Sequence, residues 1–502
     1  MQIDAAIESY KRALQIKPNY ADAYNNMGIA LQNKGDSETA IDSFKQALQI
    51  KPNYAEAYNN MGTALQDKGD SKAAIDSYEQ ALKINPDYAE AYNNMSIALR
   101  GEGDLEAAIT YCKQAIKIKS DYADAYNHMG NILSDKGDLE VAINSFKQAT
   151  KINPNYAGAY SNMGNALKDK GELEAAIDSF KQALKINPNY AEAYNNMGVA
   201  LKDKGDSAGA IDSFKQALKI KPDYAEVHDN LGTILKDLGR LEQAEVSCRK
   251  AIELKPDFAQ AHSNLGLILY FNGDVESALK SMKKSNYINP KLNENTLLLA
   301  VLQARKTRGK AEGSINSISN TYPGKELTTN PLILNRLVDR DLIANLYEMN
   351  SKELDKTKDA RYGNGRCSSG FNLFEDDRPI IKTVAEDLIK IMMEALKSDV
   401  YVRDSFFNIL GAGGGSTPHN HIKGLDEDHR LNLANQKYSL VYYLSVGDQS
   451  CSEPGILKLY DPNEDILPRE GMIVIVPAGR QHSAVYGGKK DRVMIGVNFY
   501  IL

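Results

Sequence analysis

The stretch ADAYNNMGIALQNKGDSETAIDSFKQALQIKPNY, residues 21–54, decides the fold of most of this chain, because close copies of it recur through the first 290 residues. Prolines at positions 18, 52, 86, 154, 188, 222, 256 and 290 mark the period. Neighbouring marks lie 34 residues apart, and Ser120 occupies the one position in the series without a proline. The first half of the chain is therefore a tandem array.

Each copy carries two apolar stripes at helical spacing. In residues 21–54 they are Tyr24, Met27 and Leu31, then Ala40, Phe44 and Ala47. Gly35-Asp36 between them predicts the end of one helix and the N-cap of the next. One helix pair cannot bury both stripes, so stability must come from stacking neighbouring pairs.

The repeat resembles the tetratricopeptide repeat, whose period is also 34 residues. The resemblance covers Met1 to about Arg308, with eight full repeats beginning near residues 21, 55, 89, 123, 157, 191, 225 and 259. It implies an all-α superhelical solenoid over residues 1–307 that binds a protein or peptide on its concave face. Residues 1–17 match only a second helix, so either the reading frame is truncated or another chain covers that helix. A capping helix is expected from Asn293 to Arg305.

A polar residue recurs at the sixth position of every repeat. The series is Asn26, Asn60, Asn94, His128, Asn162, Asn196, Asn230 and Asn264. Asparagine is a mediocre helix former whose amide can donate to and accept from a peptide backbone. The series resembles the asparagine ladder of O-linked N-acetylglucosamine transferases, which implies that the seven asparagines bind an extended polypeptide. Recent duplication of the repeat would copy them equally well.

Composition excludes several classes of function. The 502 residues carry a net charge of −6, which is not typical of a nucleic-acid-binding or membrane-surface protein. The four cysteines are widely scattered, and no apolar run approaches the ~20 residues that cross a bilayer. We therefore expect a cytoplasmic protein with neither nucleic-acid nor membrane partners.

The pattern changes after the array. Residues 308–330 read as a linker, and residues 331–502 as a separate domain. Helices are predicted at 333–350 and 379–397, and strands at 400–410, 438–446, 456–460, 472–476, 483–486 and 492–501. The glycine run at 411–415 is interpreted as a loop. Short strands with Gly and Pro turns suit an α+β jelly-roll.

Histidines cluster in this last region. His419 and His421 are two residues apart, so on a strand both would point to one face and could bind one metal ion. His482 opens a later strand and is the candidate for a third ligand, and three ligands on one side leave positions open for a co-substrate. Arg492 follows ten positions later, and its planar guanidinium suits a carboxylate.

These residues resemble the motif of iron(II)- and 2-oxoglutarate-dependent oxygenases of the prolyl-hydroxylase-like group, which have a double-stranded β-helix fold. The resemblance implies Fe(II) on His419, His421 and His482, with Arg492 binding 2-oxoglutarate. Asn408, Tyr442 and Tyr443 are weaker candidates for 2-oxoglutarate contacts. The family has Asp or Glu where this chain has His421; three nearby carboxylates that could substitute are Asp426, Asp428 and Asp461.

The leading hypothesis is an Fe(II)- and 2-oxoglutarate-dependent oxygenase that hydroxylates a protein or peptide recruited by the array. Two alternatives remain: a non-catalytic interaction scaffold with a degenerate barrel, and a cupin-like barrel with three histidines and no 2-oxoglutarate. A glycosyltransferase is not expected, because fewer than 200 residues follow the linker and they do not show a doubly wound pattern.

Overall fold

The computed structural model describes residues 2–290, 293–311, 330–353, 363–367, 372–419, 424–428, 430–431, 433–451 and 454–502. Contacts divide the chain into two compact units, residues 1–239 and 240–502. Within the second unit, helix 293–311 contacts the region after it: the Arg305 Nη2 donates to the Leu431 carbonyl at 2.6 Å.

The array consists of helices throughout. A single helix, α1, spans Gln2–Ile16, and α18 spans Asn293–Ala311. Between them the first helices of the eight repeats (α2 to α16, even labels) span Ala21–Asn33, Ala55–Asp67, Ala89–Gly101, Ala123–Lys136, Ala157–Asp169, Ala191–Asp203, Ala225–Asp237 and Ala259–Phe271. The second helices (α3 to α17, odd labels) span Ser37–Ile50, Ser71–Ile84, Leu105–Ile118, Leu139–Ile152, Leu173–Ile186, Ser207–Ile220, Leu241–Leu254 and Val275–Ile288.

The predicted boundary between the two helices of a repeat is confirmed in atomic detail. Gly35 takes a left-handed φ of +86°, and the Asp36 carboxylate accepts a hydrogen bond from the Thr39 amide at 3.1 Å. A β-carbon at Gly28 would lie 2.6 Å from the Phe44 ring, so the missing side chain lets the paired helices meet. Phe44 and Ala40 are fully buried there. The two helices of the repeat therefore pack against each other through a glycine–aromatic contact.

The C-terminal region is built around antiparallel strands. They span Leu332–Asn335, Gly363–Cys367, Val400–His419, Lys437–Ser445, Pro454–Leu459, Glu464–Ile466, Met472–Pro477, His482–Tyr486 and Arg492–Ile501, named β1 to β9. Two helices accompany them, α19 over Arg340–Glu353 and α20 over Pro379–Leu396. The six strands and the second helix predicted from sequence are present, whereas β1 occupies the start of the predicted first helix.

The strand order is β1-β7-β4-β9-β3-β8-β5-β6, with β2 added on β3. The long strand β3 pairs with β9 through residues 400–410 and with β8 through residues 414–419, so it passes from one half of the sheet to the other. The backbone of 411–415 therefore continues a strand, which corrects the predicted loop.

The sheet has a different core on each face. One face of β4, β7 and β9 packs against α19 and α20 through Leu346, Leu388, Tyr442 and Ile495 among others. On the opposite face, residues of β7 and β9 share a core with Leu457, Leu459 and Ile466 of β5 and β6. These strands are far apart in the strand order, so the sheet curls until its two halves enclose the second core. We call that enclosed side the inner face.

Candidate functional site

The register of β3 and β8 brings two of the predicted metal ligands together. His419 at the end of β3 lies directly opposite His482 at the start of β8, after an irregularity between residues 416 and 419. The two histidine positions, 63 apart in sequence, are therefore neighbours.

His482 is buried, with 7% of its surface exposed. Its Nδ1 lies 3.2 Å from the carbonyl oxygen of Arg480. A carbonyl only accepts, so Nδ1 carries the proton and Nε2 carries the lone pair. A hydrogen bond of this kind sets the tautomer of metal-binding histidines. In a neutral ring, this hydrogen bond selects the tautomer that binds a metal ion through Nε2.

The third predicted ligand, His421, lies outside the described residues. Within the part of the chain that the structure describes, no group of three or more His, Cys, Asp or Glu side chains is close enough to hold a metal ion. The prediction of a three-histidine site therefore rests on the His419–His482 register and on the protonation of His482.

Arg492 opens β9 on the inner face and is fully buried. Its guanidinium donates to the carbonyl oxygens of Gly455 at 2.5 Å, of Val446 at 3.3 Å and of Pro454. The Tyr486 ring centroid lies 4.6 Å away. Burial lowers the pKa of this guanidinium, yet an arginine stays protonated in proteins. The chain therefore holds a permanent positive charge within the inner core.

The predicted minor contacts fall on opposite faces of the sheet. Asn408 faces Met494 across β3 and β9, is 94% buried, and its Oδ1 has no hydrogen-bond donor among the described residues. Tyr443 packs in the inner core beside Arg492, and burial raises its pKa to about 12. Tyr442 points to the other face, where its hydroxyl donates to the Leu337 carbonyl at 3.0 Å. Tyr442 therefore does not join the candidate site, because adjacent strand residues alternate faces.

Two of the three carboxylates that could have replaced His421 as ligands have other partners. Asp426 is fully buried, where it accepts from the Lys437 ammonium and from the Tyr500 hydroxyl, both at 2.7 Å. Asp428 pairs with Arg430 at 2.7 Å. These bonds leave Asp426 and Asp428 as structural groups rather than ligands.

The Asp426–Lys437–Tyr500 network was not predicted. Desolvation lowers the pKa of Lys437, and burial with the Asp426 hydrogen bond raises that of Tyr500. A sequence signal existed: Lys437 and Ser439 alternate with apolar residues on β4, which indicates a polar patch on the inner face. Its partner Asp426 lies in the short 3-10 helix Gly424–Glu427, and strand periodicity does not reveal that contact.

The sixth-position ladder makes bonds within the array. The side-chain Nδ2 of Asn60 donates to Oδ1 of Asn25 in the preceding repeat at 3.0 Å, and Asn94 donates likewise to Asn59. The same bond joins Asn162 to Asn127 at 3.1 Å and Asn230 to Asn195 at 2.9 Å. The ladder therefore cross-links successive first helices in addition to presenting polar atoms.

Together, the stacked helix pairs and their cross-linking ladder define a helical-repeat protein-binding scaffold. Family models described as "TPR repeat" and "Tetratricopeptide repeat" match residues 2–121, 130–224 and 232–292, more than half of the chain. The chain belongs to the tetratricopeptide-repeat family. Among curated proteins, none matches it.

Solved structures of similar shape include other tetratricopeptide-repeat proteins. One is the crystal structure of the APC/C hetero-tetramer Cut9–Hcn1, which matches at 16% identity and TM-score 0.43. The match covers 57% of this chain and 56% of that one. MamA matches at 30% identity and TM-score 0.30, covering 33% of this chain and 97% of that one. YrrB, "a TPR protein with an unusual peptide-binding site", matches at 22% identity and TM-score 0.31, over 37% of this chain and 96% of that one. Among the helices that the structure describes, none has the length and apolar character needed to cross a bilayer.

Proposed function

We propose that the C-terminal region is an Fe(II)- and 2-oxoglutarate-dependent oxygenase with a double-stranded β-helix (jelly-roll) fold, and that the repeat array recruits its polypeptide substrate. The array's part follows from its family, since tetratricopeptide arrays are protein-interaction scaffolds. The oxygenase part rests on the residues of the inner face.

The strand pairing supports the jelly-roll assignment. A jelly-roll has two interleaved four-stranded halves. This requires a long strand that pairs with the last strand in one half and with the second-to-last strand in the other. Here β3, β9, β4 and β7 form one half, and the end of β3 with β8, β5 and β6 forms the other. In such a barrel the ends of the strands surround an enclosed core.

The observation that carries the proposal is the His419–His482 register. With His421 two residues further along, these histidines would hold one Fe(II) through neutral imidazoles. The Arg480 carbonyl fixes the proton of His482 on Nδ1. When bound, iron and 2-oxoglutarate supply the oxidising power for C–H hydroxylation, while the protein orients the substrate and excludes water.

Arg492 and Asn408 support a site for the co-substrate. The four described hydrogen bonds of Arg492 leave one Nη1 proton of its five donors for a carboxylate. Asn408 lies two residues from Leu410, which is the partner of Arg492 in β3. An unsatisfied buried acceptor such as its Oδ1 needs a partner, and a ligand or water molecule would supply one.

A second function has a specific observation in its favour. The Arg492 guanidinium already donates to three backbone carbonyls, which is a structural task that does not need 2-oxoglutarate. With His421 in place of a carboxylate, this favours a cupin-like barrel that binds metal through three histidines, or a degenerate barrel that serves the scaffold alone.

One titration separates these functions. Purified protein is mixed with Fe(II) and 2-oxoglutarate without oxygen, and the visible charge-transfer absorption of their complex is recorded. The oxygenase gives a band that His482→Ala abolishes and that 2-oxoglutarate alone does not produce. Iron binding without the band identifies the cupin-like barrel, and no iron binding identifies the degenerate one. Succinate release with oxygen and a bound peptide then measures turnover.

A further inference from the structure

The first helices of the repeats form one continuous face in residues 21–237. Each first helix contacts the first helix of the next repeat, as α2 does α4 and α4 does α6, as well as its own partner. The second and sixth positions of a first helix are four residues apart and so share one side of it. Two columns of side chains therefore run together along this face, which we call the ladder face.

The sixth-position column presents acceptors. The Nδ2 groups of Asn60, Asn94, Asn162 and Asn230 are used by the preceding repeat, and these four side chains remain half-exposed. Within residues 2–290, which are all described, the Oδ1 atoms of these four accept no side-chain hydrogen bond, whereas those of Asn26 and Asn196 accept from Asn25 and Asn195 at 3.4 and 3.2 Å. Each amide is thus held by its nitrogen with its oxygen available to a partner.

His128 preserves this polarity although it is not an asparagine. Its Nδ1 lies 2.8 Å from Oδ1 of Asn93, an oxygen that only accepts, so Nδ1 is the protonated nitrogen. Burial lowers the pKa of His128, which keeps the ring neutral and leaves a lone pair on Nε2. The replacement changes the side chain and keeps the acceptor.

The second-position column consists of carboxylates. Asp22, Glu56, Glu90, Asp124 and Glu192 are all exposed, and none forms an ion pair in the fully described range 2–290. Carboxylates on the second helices behave differently. Glu38, Glu106 and Glu174 pair with Lys68, Lys136 and Lys204 at 3.1, 2.6 and 3.3 Å. The ladder face therefore keeps its negative charges without cations.

Half-buried tyrosines lie beside the carboxylate column. Tyr88 is influenced by both Glu56 and Glu90, and burial with these charges raises its pKa to about 12. Tyr122 stands in the same way between Glu90 and Asp124. Each tyrosine thus feels the carboxylates of two successive repeats, and within residues 21–237 the column is interrupted only at Gly158 in the fifth repeat.

We propose that the ladder face binds an extended, cationic polypeptide, with its backbone N–H groups on the ladder acceptors and its Lys or Arg side chains on the carboxylate column. Both columns accept hydrogen bonds, and the second is anionic, so an acidic segment would be repelled. Adjacent helices pack about 8–10 Å apart, which equals about three residues of extended chain. A positive residue at about every third position fits that spacing.

This inference rests on the scaffold part of the proposed function and is independent of the oxygenase chemistry. Its test is a binding measurement on the full chain with three fluorescent peptides of equal length, built from Lys-Gly-Ser, Gln-Gly-Ser or Glu-Gly-Ser repeats. We expect the Lys peptide to bind most tightly, with an affinity that falls as salt is added. Binding of the Glu peptide as tight as that of the Lys peptide would overturn the proposal.

Matched variants separate the effect of the carboxylate column on binding from the effect of the protein's net charge. The triple variant Glu56→Gln, Glu90→Gln, Asp124→Asn should weaken Lys-peptide binding about 10-fold, since each partner charge contributes about 0.2–1 kcal/mol. The control triple Glu38→Gln, Glu106→Gln, Glu174→Gln removes the same charge from the second helices. It should change affinity less than roughly 2-fold. Equal losses in both triples would show only nonspecific attraction to an acidic protein.

A gain of affinity is also expected. At Gly158 a β-carbon meets only the Tyr156 ring, at an ordinary 3.4 Å, so a side chain fits. Gly158→Glu completes the column and should tighten Lys-peptide binding roughly 2-fold, whereas Gly158→Gln should not. Far-UV circular dichroism of each variant checks that the helices are intact. Equal effects of Glu and Gln here would contradict an electrostatic column.

Discussion

The repeat array and the C-terminal sheet bury side chains in opposite ways. In the array one contact is copied: a β-carbon would lie 2.6 Å from an aromatic ring at Gly28, Gly62, Gly164 and Gly198 alike. In the sheet each buried group is single, as with Arg492 in the inner core and Asp426 beside Lys437. Copied contacts distribute stability over many repeats, whereas single polar contacts concentrate it at one place.

That difference bears on function. An array whose stability is distributed can expose a long polar face, and here the ladder face carries amide and carboxylate columns. A sheet with a closed core can hold charged and metal-binding groups away from water, where each interaction is stronger. The first arrangement suits binding of an extended chain, and the second suits chemistry at a fixed point.

The largest difference between the regions is expected on replacing a left-handed glycine. Gly455 has φ +73°, and a β-carbon there would lie 2.0 Å from the Arg492 guanidinium. Gly455→Ala should destabilise the sheet by about 3 kcal/mol or more, because it adds backbone strain and displaces a buried cation. Gly35→Ala, with φ +86° and nothing within 4 Å, should cost the array only about 1 kcal/mol.

Hydrogen exchange of peptides from β9 and from α2 measures the two losses separately. Similar losses of protection in both variants would mean that the packing around Arg492 contributes no special stability to the sheet.

The next prediction concerns the glycine–aromatic contact that recurs in the repeats. The third repeat has Ser96 in place of the glycine and Cys112 in place of the aromatic residue, and both are fully buried. The Ser96 hydroxyl donates to the Asn93 carbonyl at 2.6 Å, and the Cys112 thiol donates to the Ala125 carbonyl at 3.0 Å. Cys112→Phe should destabilise the array by about 1–3 kcal/mol, because Ser96 occupies the space that the ring needs. Adding Ser96→Gly should restore most of this loss in urea unfolding followed by circular dichroism. Additive losses in the double variant would contradict the compensation.

The sequence allowed nearly all of the array to be predicted, and much less of the site. Periodicity identifies the helices, the Gly35-Asp36 boundary and the apolar stripes because each is local and repeated. The neighbours of His482 are not local: its pairing with His419 depends on an irregularity in β3, and the placement of Tyr442 depends on strand register. Asp426 was a candidate ligand because nothing in the sequence shows that it forms an ion pair with Lys437.

A smaller effect is expected within the ladder itself. Asn60→Ala removes the donor to Asn25 and should destabilise the array by about 1 kcal/mol, the usual cost of an unpaired side-chain acceptor that is partly buried. Asn60→His should be tolerated better, because His128 makes the equivalent bond to Asn93. Thermal unfolding of both variants gives the comparison. If histidine and alanine cost the same, the cross-link contributes nothing.

The last effect appears only at high pH. Burial raises the pKa of Tyr54, Tyr78 and Tyr88 to about 12, against an ordinary value of 10.0. The free energy of unfolding is unaffected by the ionisation of these hydroxyls below pH 10 and falls as the pH rises towards 12, because the unfolded chain releases protons that the folded chain retains. Far-UV circular dichroism should show the helices melting across that range. Helix content that stays constant to pH 12 would contradict the burial of these hydroxyls.

The most direct test of the central claim is the iron content of the protein. Equilibrium dialysis against Fe(II) without oxygen should give one bound iron per chain, lost in His482→Gln and retained in His128→Gln, which alters a histidine of the array. Binding that His482→Gln leaves intact, or no binding by the unaltered chain, would contradict a metal site built on the His419–His482 pair.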